Sequence, residues 1–422
     1  MMEKIYSDVI KETCLKYVHK SGVTVYMLPM EGVSTAVAQF TAKFGSQDNE
    51  FSADGGDMVK IPDGTAHYLE HKLFESEEKD AFALFAETGA SCNAGTSFDY
   101  TQYYFACSDN FSKNLEILLN FVQDPYFTPK NVEKERGIIG QEITMYRDNP
   151  SWRVFTNLLE GMYHVNPVRL DIAGTVESIS QITADTLYDC YNAFYNPANM
   201  FLCVAGNFDP DEVVRICDEH LKDRAPLNIK TADFTEPIAV NNPRVTLKMP
   251  VAKPIFELGF KRAAASGQAQ TDEFIYYNIL MDIMFGEMSD FLTDMRIKGL
   301  LNTEFSASVF SGRNHNFPFA RGESDDPDAV LEEMQKHIRA FKAVPPSKQE
   351  FDCVKRANYG SLVRDYSSAD SIASTLSDAA LDGTSPFAVI DTAASAEYGR
   401  MLEFLRDLDE SNACISIVGD VD

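Results

Sequence analysis

The sequence predicts a chain built from two copies of one unit that mixes strands and helices, and three observations lead there. At 422 residues the chain exceeds what one core usually supports, and its apolar fraction of 45% is ordinary for a globular protein, so two domains of about 200 residues are expected. In the first half, short runs rich in β-branched and aromatic residues are interspersed with longer helical patterns, and a second set of strands follows beyond residue 243. The halves also end alike. Gly206-Asn207-Phe208-Asp209 and Gly419-Asp420-Val421-Asp422 each follow an apolar strand, a weak internal repeat that points to two copies of one α/β unit.

Residues 1–26 carry Lys4, Lys11, Lys16, His19 and Lys20 but no apolar core of signal-peptide length, and no later stretch approaches about 18 uncharged apolar residues. A soluble protein that is not exported by that route, with no membrane partner, is expected. Residues 22–28 and 34–44 read as strands, and a helix follows Pro62-Asp63-Gly64. A strand pair is expected at 90–94 and 101–107, the second carrying Tyr103, Tyr104 and Phe105 in the manner of a half-buried sheet. Helices are expected at 110–123, 130–147, 152–163 and 184–194, and the half closes with a strand at 200–206. The polar stretch 222–243, with Pro226, Pro237, Asn241 and Asn242, reads as a linker between domains at 1–221 and 244–422. A second set of strands starts at 244–249 and the chain finishes on the apolar run from Cys414. This second copy has no metal motif: His315 and His337 stand alone and are expected to be solvated surface groups.

Lys and Arg number 37 against 64 Asp and Glu, a formal charge of −27, which argues against nucleic acid as a partner. Such a surface could attract basic peptides, although acidic solubilising surfaces are common. The eight cysteines sit singly with no C-x-x-C spacing, mostly inside apolar segments, so free buried thiols in a reducing cytoplasm are expected over a disulfide framework.

The chemistry concentrates in Gly64-Thr65-Ala66-His67-Tyr68-Leu69-Glu70-His71-Lys72-Leu73-Phe74. With no Pro or β-branched residue from Ala66 onward, and Leu69 and Leu73 one turn apart, the stretch should be helical, which puts His67 and His71 on one face with Glu70. Two neutral imidazoles one turn apart can each present a ring nitrogen to a tetrahedral Zn²⁺, while the carboxylate between them can hold a proton without binding the metal. The order H-x-x-E-H is the inverse of the commoner zinc-protease motif. Taken alone, the pattern also suits two surface histidines on an amphipathic helix; a third ligand would decide. In residues 131–146, Glu135 and Glu142 lie two helical turns apart on nearly the same face, with Ile138, Ile139, Ile143 and Met145 for packing. One of the two can ligate and the other can orient, and two solvated glutamates remain the alternative.

These residues resemble the inverzincins, the zinc metallopeptidases that include pitrilysin, the insulinase-like enzymes and the mitochondrial processing peptidase. The likeness runs through Phe44-Gly45-Ser46, the metal helix, residues 91–97, 101–105, the Glu135 to Glu142 helix, Ile172-Ala173-Gly174-Thr175 and Tyr195-Asn196-Pro197-Ala198-Asn199-Met200. It implies His67, His71 and Glu142 as zinc ligands, Glu70 as general base and Glu135 as a supporting carboxylate. It also implies an α+β architecture used twice, each half a mainly antiparallel sheet with helices on one face, of the pitrilysin-like and LuxS-like metalloenzyme kind.

The function implied is a zinc endopeptidase acting on peptides or unfolded segments. Zinc would lower the pKa of a bound water towards about 7, and Glu70 would take the proton as the hydroxide attacks a peptide carbonyl, then return it to the leaving amine. Asn93 and Ala94 fall in the family's edge strand, which pairs with an extended peptide through its main chain. Family members enclose the zinc in a chamber made by two such chains or by one of double length. The facing half supplies an Arg and a Tyr seven residues apart. Residues 294–303 resemble that stretch with Arg296 in place, but Thr303 stands where Tyr is expected. This departure leads to the expectation of a heterodimer with a homologous subunit, with a homodimer, a non-catalytic subunit or a hydrolase of another substrate as alternatives.

Overall fold

The computed structural model describes residues 2–77 and 79–420. Val421 and Asp422, which complete the second Gly-x-x-Asp, lie outside the described residues. Two compact units emerge, neither contiguous in sequence. The first comprises Met1–Ile143, Asp171–Asp233 and Val363–Phe387; the second comprises Thr144–Leu170, Phe234–Leu362 and Ala388–Asp422. One passage between units, at 233/234, falls inside the stretch read as a linker; the others fall at 143/144, 170/171, 362/363 and 387/388.

The first unit is built on strands β1 (Glu3–Tyr6), β2 (Thr13–Val18), β3 (Thr24–Pro29), β4 (Ala36–Ala42), β7 (Ser91–Thr96), β8 (Thr101–Cys107) and β9 (Met200–Gly206), in the order β1-β2-β3-β9-β4-β8-β7. All pairings are antiparallel except β3 with β9. A small antiparallel sheet joins β5 (Glu50–Ala53), β6 (Val59–Lys60) and β10 (Ile229–Thr231). Helices Phe111–Val122 and Ala184–Phe194 cover one face, burying Leu115, Leu118, Leu119, Val122 and Leu187, Cys190, Tyr191, Phe194 at the i, i+3, i+4, i+7 spacing of an apolar stripe. On β4, Ala38, Phe40 and Ala42 alternate into that core. The opposite face carries Gln39, whose Oε1 accepts from Ser377 Oγ of helix Ala369–Asp382 at 2.8 Å and from Gln102 Nε2 at 3.2 Å.

The second unit holds β11 (Arg244–Leu247), β12 (Ile255–Phe260), β13 (Ser306–Gly312), β14 (His315–Glu323) and β15 (Ala413–Val418), ordered β11-β15-β12-β14-β13 and antiparallel except β11 with β15. Numbered by appearance in the chain, this is 1-5-2-4-3, and the five strands β3, β4, β7, β8 and β9 of the first unit repeat that order and the position of the one parallel pair. The architecture is α+β, one fold used twice, as the weak Gly-x-x-Asp repeat suggested. Helix Pro150–Met162 packs on β15 and β12, and close approach is built in: a Cβ on Gly161 would meet Cys414 Sγ at 2.5 Å, and one on Gly259 would meet Met162 Sδ at 2.7 Å.

The second-unit histidines correct an expectation. His315 is only 2% exposed and stacks on Phe310, and His337 lies half-buried among Phe285, Phe291 and Phe341, so both act as flat side chains in aromatic clusters and neither is a solvated surface group. The cysteines are all free among the described residues, with Cys353 exposed and Cys92 half-buried. No helix among the described residues is long and apolar enough to cross a membrane.

Candidate metal centre

The H-x-x-E-H stretch forms helix Thr65–Leu73, with Gly64 as its N-cap at φ 90°. Gly is required there twice over, because that dihedral disfavours a side chain and a Cβ would collide with the Ala173 carbonyl. Gly174, at φ 73°, has the same relation to the Asp63 carbonyl, and Ser178 Oγ donates to that carbonyl at 2.7 Å. The Ile172-Ala173-Gly174-Thr175 stretch is thus the seat of the helix start. Leu69, Leu73 and Tyr68 bury the inner face in the first-unit core.

The second helix, Pro129–Arg147, brings Glu135 and Glu142 against this one. Tyr68 ties the two helices together, its hydroxyl donating to the Val132 carbonyl. Glu142 Oε2 lies 3.4 Å from His71 Nε2 and 3.8 Å from His67 Nε2, and donor atoms of His67, His71 and Glu142 all lie within 4.8 Å of one another. A tetrahedral ion with ligands at about 2.0–2.1 Å sets its donors about 3.4 Å apart, so this spacing fits zinc. Glu70 and Glu135 stand outside that donor set, the only such group of three or more among the described residues.

Glu135 is 7% exposed and accepts from His71 Nδ1 at 3.1 Å, which leaves His71 Nε2 to face Glu142. Burial would raise the Glu135 carboxyl, but His71 and Lys72 outweigh it and hold it below its ordinary value. Burial takes His67 down to about 4, assisted by His71, which leaves it a neutral imidazole suited to ligation. Burial also acts to lower His71, but its hydrogen bonds to Glu135 and Glu142 prevail and hold it up at about 10. Metal binding at such a donor set would be coupled to loss of the His71 proton.

Glu70 is 9% exposed, and burial pushes its carboxyl up to about 7, a value close to neutrality that suits a group taking and returning a proton. Thr96 Oγ1 donates to Glu70 Oε2 at 3.3 Å from the end of β7. That strand ends the sheet with β8 as its single neighbour, and on it Asn93 Oδ1 accepts from the Ala94 N–H at 2.9 Å. Arg296 belongs to the second unit, on helix Asp290–Ile297, where its guanidinium forks onto Glu287 at 2.9 and 3.0 Å. The structure thus brings His67, His71, Glu142, Glu135 and Glu70 together, and sets Asn93 and Ala94 on an open sheet edge. Sequence reasoning passed over Thr96, Tyr68 and Lys72; only Lys72, next to His71 yet 0% exposed, has an address that could have drawn notice.

The family profile for insulinase (peptidase family M16) matches residues 55–176, and that for the peptidase M16 inactive domain matches residues 181–358. An uncharacterized zinc protease of Bacillus subtilis, YmfH, is 38% identical over 398 residues, 92% of each chain. This chain belongs to peptidase family M16. The crystal structure of an M16-like peptidase from Alicyclobacillus acidocaldarius superposes with a TM-score of 0.92 at 32% identity, covering 99% of this chain and 98% of that one. Pitrilysin superposes at 0.76 with 17% identity, covering 99% of this chain and 46% of its own, a likeness of fold. Membership in M16 and kinship to zinc proteases agree with the donor set of the first unit. The profile matched by most of the second half is that of an inactive domain, and among the described residues this half has no metal-ligating cluster.

Proposed function

We propose that this M16 chain is a zinc-dependent endopeptidase that cleaves peptides or unfolded segments. The observation that carries the reading is the convergence of His67 Nε2, His71 Nε2 and Glu142 Oε2 at zinc-like spacing, with a buried carboxyl, Glu70, between the two histidines in sequence and outside the donor set. Zinc, when bound, supplies Lewis acidity that acidifies a water and polarises a peptide carbonyl. Glu70 would serve as the base that takes a proton from the attacking water and returns it to the leaving amine. Thr96 fixes the carboxylate by holding Oε2. The open edge of β7 aligns an extended substrate by main-chain pairing, which is tolerant of sequence, and Asn93 yields the Ala94 N–H to it.

The chamber implied by the family needs a facing half. Arg296 is engaged by Glu287, and Thr303 stands seven residues on where the family has Tyr. That favours a heterodimer with a homologous subunit carrying both residues over a homodimer. The free cysteines favour a reducing cytoplasm. Incubation with a diverse peptide pool, with and without chelator, followed by mass spectrometry tests the peptidase reading. Chelator-sensitive products that vanish with Glu70→Gln are expected; unchanged products in that variant would remove Glu70 from the reaction.

A further inference from the structure

We propose that Lys72 is a positioning residue of the metal centre, holding the Glu135 carboxylate in the orientation that turns His71 Nε2 toward Glu142. The inference rests on the zinc reading above. Lysine is almost never fully buried unless paired, yet Lys72 is 0% exposed in the helix that carries both histidines. Its ammonium has two acidic neighbours: Glu75 Oε2 at 2.5 Å and Glu135 Oε2 at 3.6 Å. Glu75 in turn lies 3.6 Å from Lys134 Nζ, on the second helix beside Glu135.

The two oxygens of Glu135 are therefore divided between consecutive residues of the metal helix. Oε1 accepts from His71 Nδ1 at 3.1 Å, and Oε2 faces Lys72 Nζ. One contact alone would let the carboxylate pivot about its last torsion, which is a soft, roughly two-fold rotation. The His71 hydrogen bond on one oxygen and the Lys72 ion pair on the other both oppose that rotation, and so favour the direction of the imidazole whose far nitrogen lies 3.4 Å from Glu142 Oε2. Glu75 anchors the ammonium by the shorter bond, so Lys72 is itself held. Burial alone would be met by an apolar side chain of equal length; the ammonium here instead meets two carboxylates, Glu75 and Glu135.

The test is a zinc competition titration against a chromophoric chelator, using the full chain. Lys72→Met should weaken zinc binding by roughly 10 to 100-fold, as losses behind a ligand usually do, and Glu135→Gln should do the same. If Lys72 acts through Glu135, adding Lys72→Met to Glu135→Gln should cost little more, and Lys72→Arg should recover most of the affinity. A Lys72→Met penalty of equal size with and without Glu135→Gln would mark a merely structural role and overturn the inference, as would unchanged affinity in Lys72→Met. Should Lys72→Met fail to fold, Lys72→Met/Glu75→Gln compared with Glu75→Gln alone removes the cation together with its nearest acid; about tenfold weaker binding supports the proposal and equal binding overturns it. Absence of zinc from the unaltered chain would instead sink the zinc reading, and the inference with it.

Discussion

Thr96 Oγ1 donates to Glu70 Oε2 across 3.3 Å, tying the last residue of the edge strand to the carboxyl of the metal helix. A hydrogen bond to an ionised group contributes about 1.5–3 kcal/mol, so much of the aim of Glu70 depends on this hydroxyl. Thr96→Val keeps the shape and removes the donor. It should leave zinc content unchanged and lower kcat by roughly tenfold, the equivalent of about 1.4 kcal/mol, with a smaller effect on KM. Steady-state kinetics on a cleaved peptide decide the matter, and an unchanged kcat would remove Thr96 from the site.

The donor set makes separate demands on its members. About one Zn²⁺ per chain is expected by elemental analysis, lost with His67→Ala, His71→Ala or Glu142→Ala, because a tetrahedral site cannot spare one of three protein ligands. Glu70→Gln should retain the metal while turnover falls by about 10² to 10⁴-fold, the range for losing a positioned general base. If Glu142→Ala kept full occupancy, Glu135, already at 3.1 Å from His71, would be the ligand to test next.

Gly64 offers a test of the helix start without touching the donors. Alanine there would both adopt φ near 90° and strike the Ala173 carbonyl, so Gly64→Ala should destabilise the first unit by more than about 1 kcal/mol, measured by urea unfolding. Stability equal to the unaltered chain would contradict the close packing of residues 173–174 on this turn.

Glu257, in the second unit, carries the clearest pH signature away from the metal helix. Burial on β12 pushes its carboxyl from 4.5 up to about 7, offset in part by Arg321, whose Nε lies 3.8 Å away. Between these values the unfolded chain releases this proton while the folded chain keeps it, so stability falls as pH rises from about 4.5 to 7 and then levels. The loss is at most about 3–4 kcal/mol at about 1.36 kcal/mol per pH unit. Glu257→Gln should flatten that slope, being more stable than the unaltered chain at pH 8 and similar at pH 4. Trp152, the one tryptophan and a member of the same unit, reports its unfolding by fluorescence.

What sequence reasoning could reach here is what lies along one element. The i, i+4 histidines and the seven-residue spacing of Glu135 and Glu142 follow from the 3.6 period of a helix, strand 101–107 from its aromatic, half-buried pattern, and strand 200–206 from a short unbroken apolar run. What escaped it depends on contacts between elements. Nothing in the spacing of Lys72 says that Glu135 waits beside it, and an unpaired lysine would be placed in solvent. Thr96 is one hydroxyl among several in residues 91–101, selected only because β7 ends opposite Glu70. The assignment of helix Ala369–Asp382 to the first unit was equally out of reach, since it follows from Ser377 meeting Gln39, 338 residues away.

Arg296 bears on whether a second, different subunit completes the site. In this chain the guanidinium is held by both oxygens of Glu287, at 2.9 and 3.0 Å, an exposed pair at the end of a short helix. To grip a substrate carbonyl it would have to leave that fork, and the hydroxyl seven residues on belongs to a short β-branched Thr303 that cannot reach where a tyrosine phenol would. A chamber of two identical chains would then have zinc in both halves and only part of a clamp in either. The chain alone should therefore bind zinc yet cleave peptides slowly, and Arg296→Ala should change that slow rate by less than about twofold, as surface substitutions outside a working site usually do. Adding a homologous subunit that has both Arg and Tyr should raise turnover sharply, with the complex seen by light scattering at the mass of a heterodimer. If the purified chain were instead a fully active homodimer, and Arg296→Ala abolished its turnover, then Arg296 would be working in trans without the tyrosine, and the heterodimer would be unnecessary.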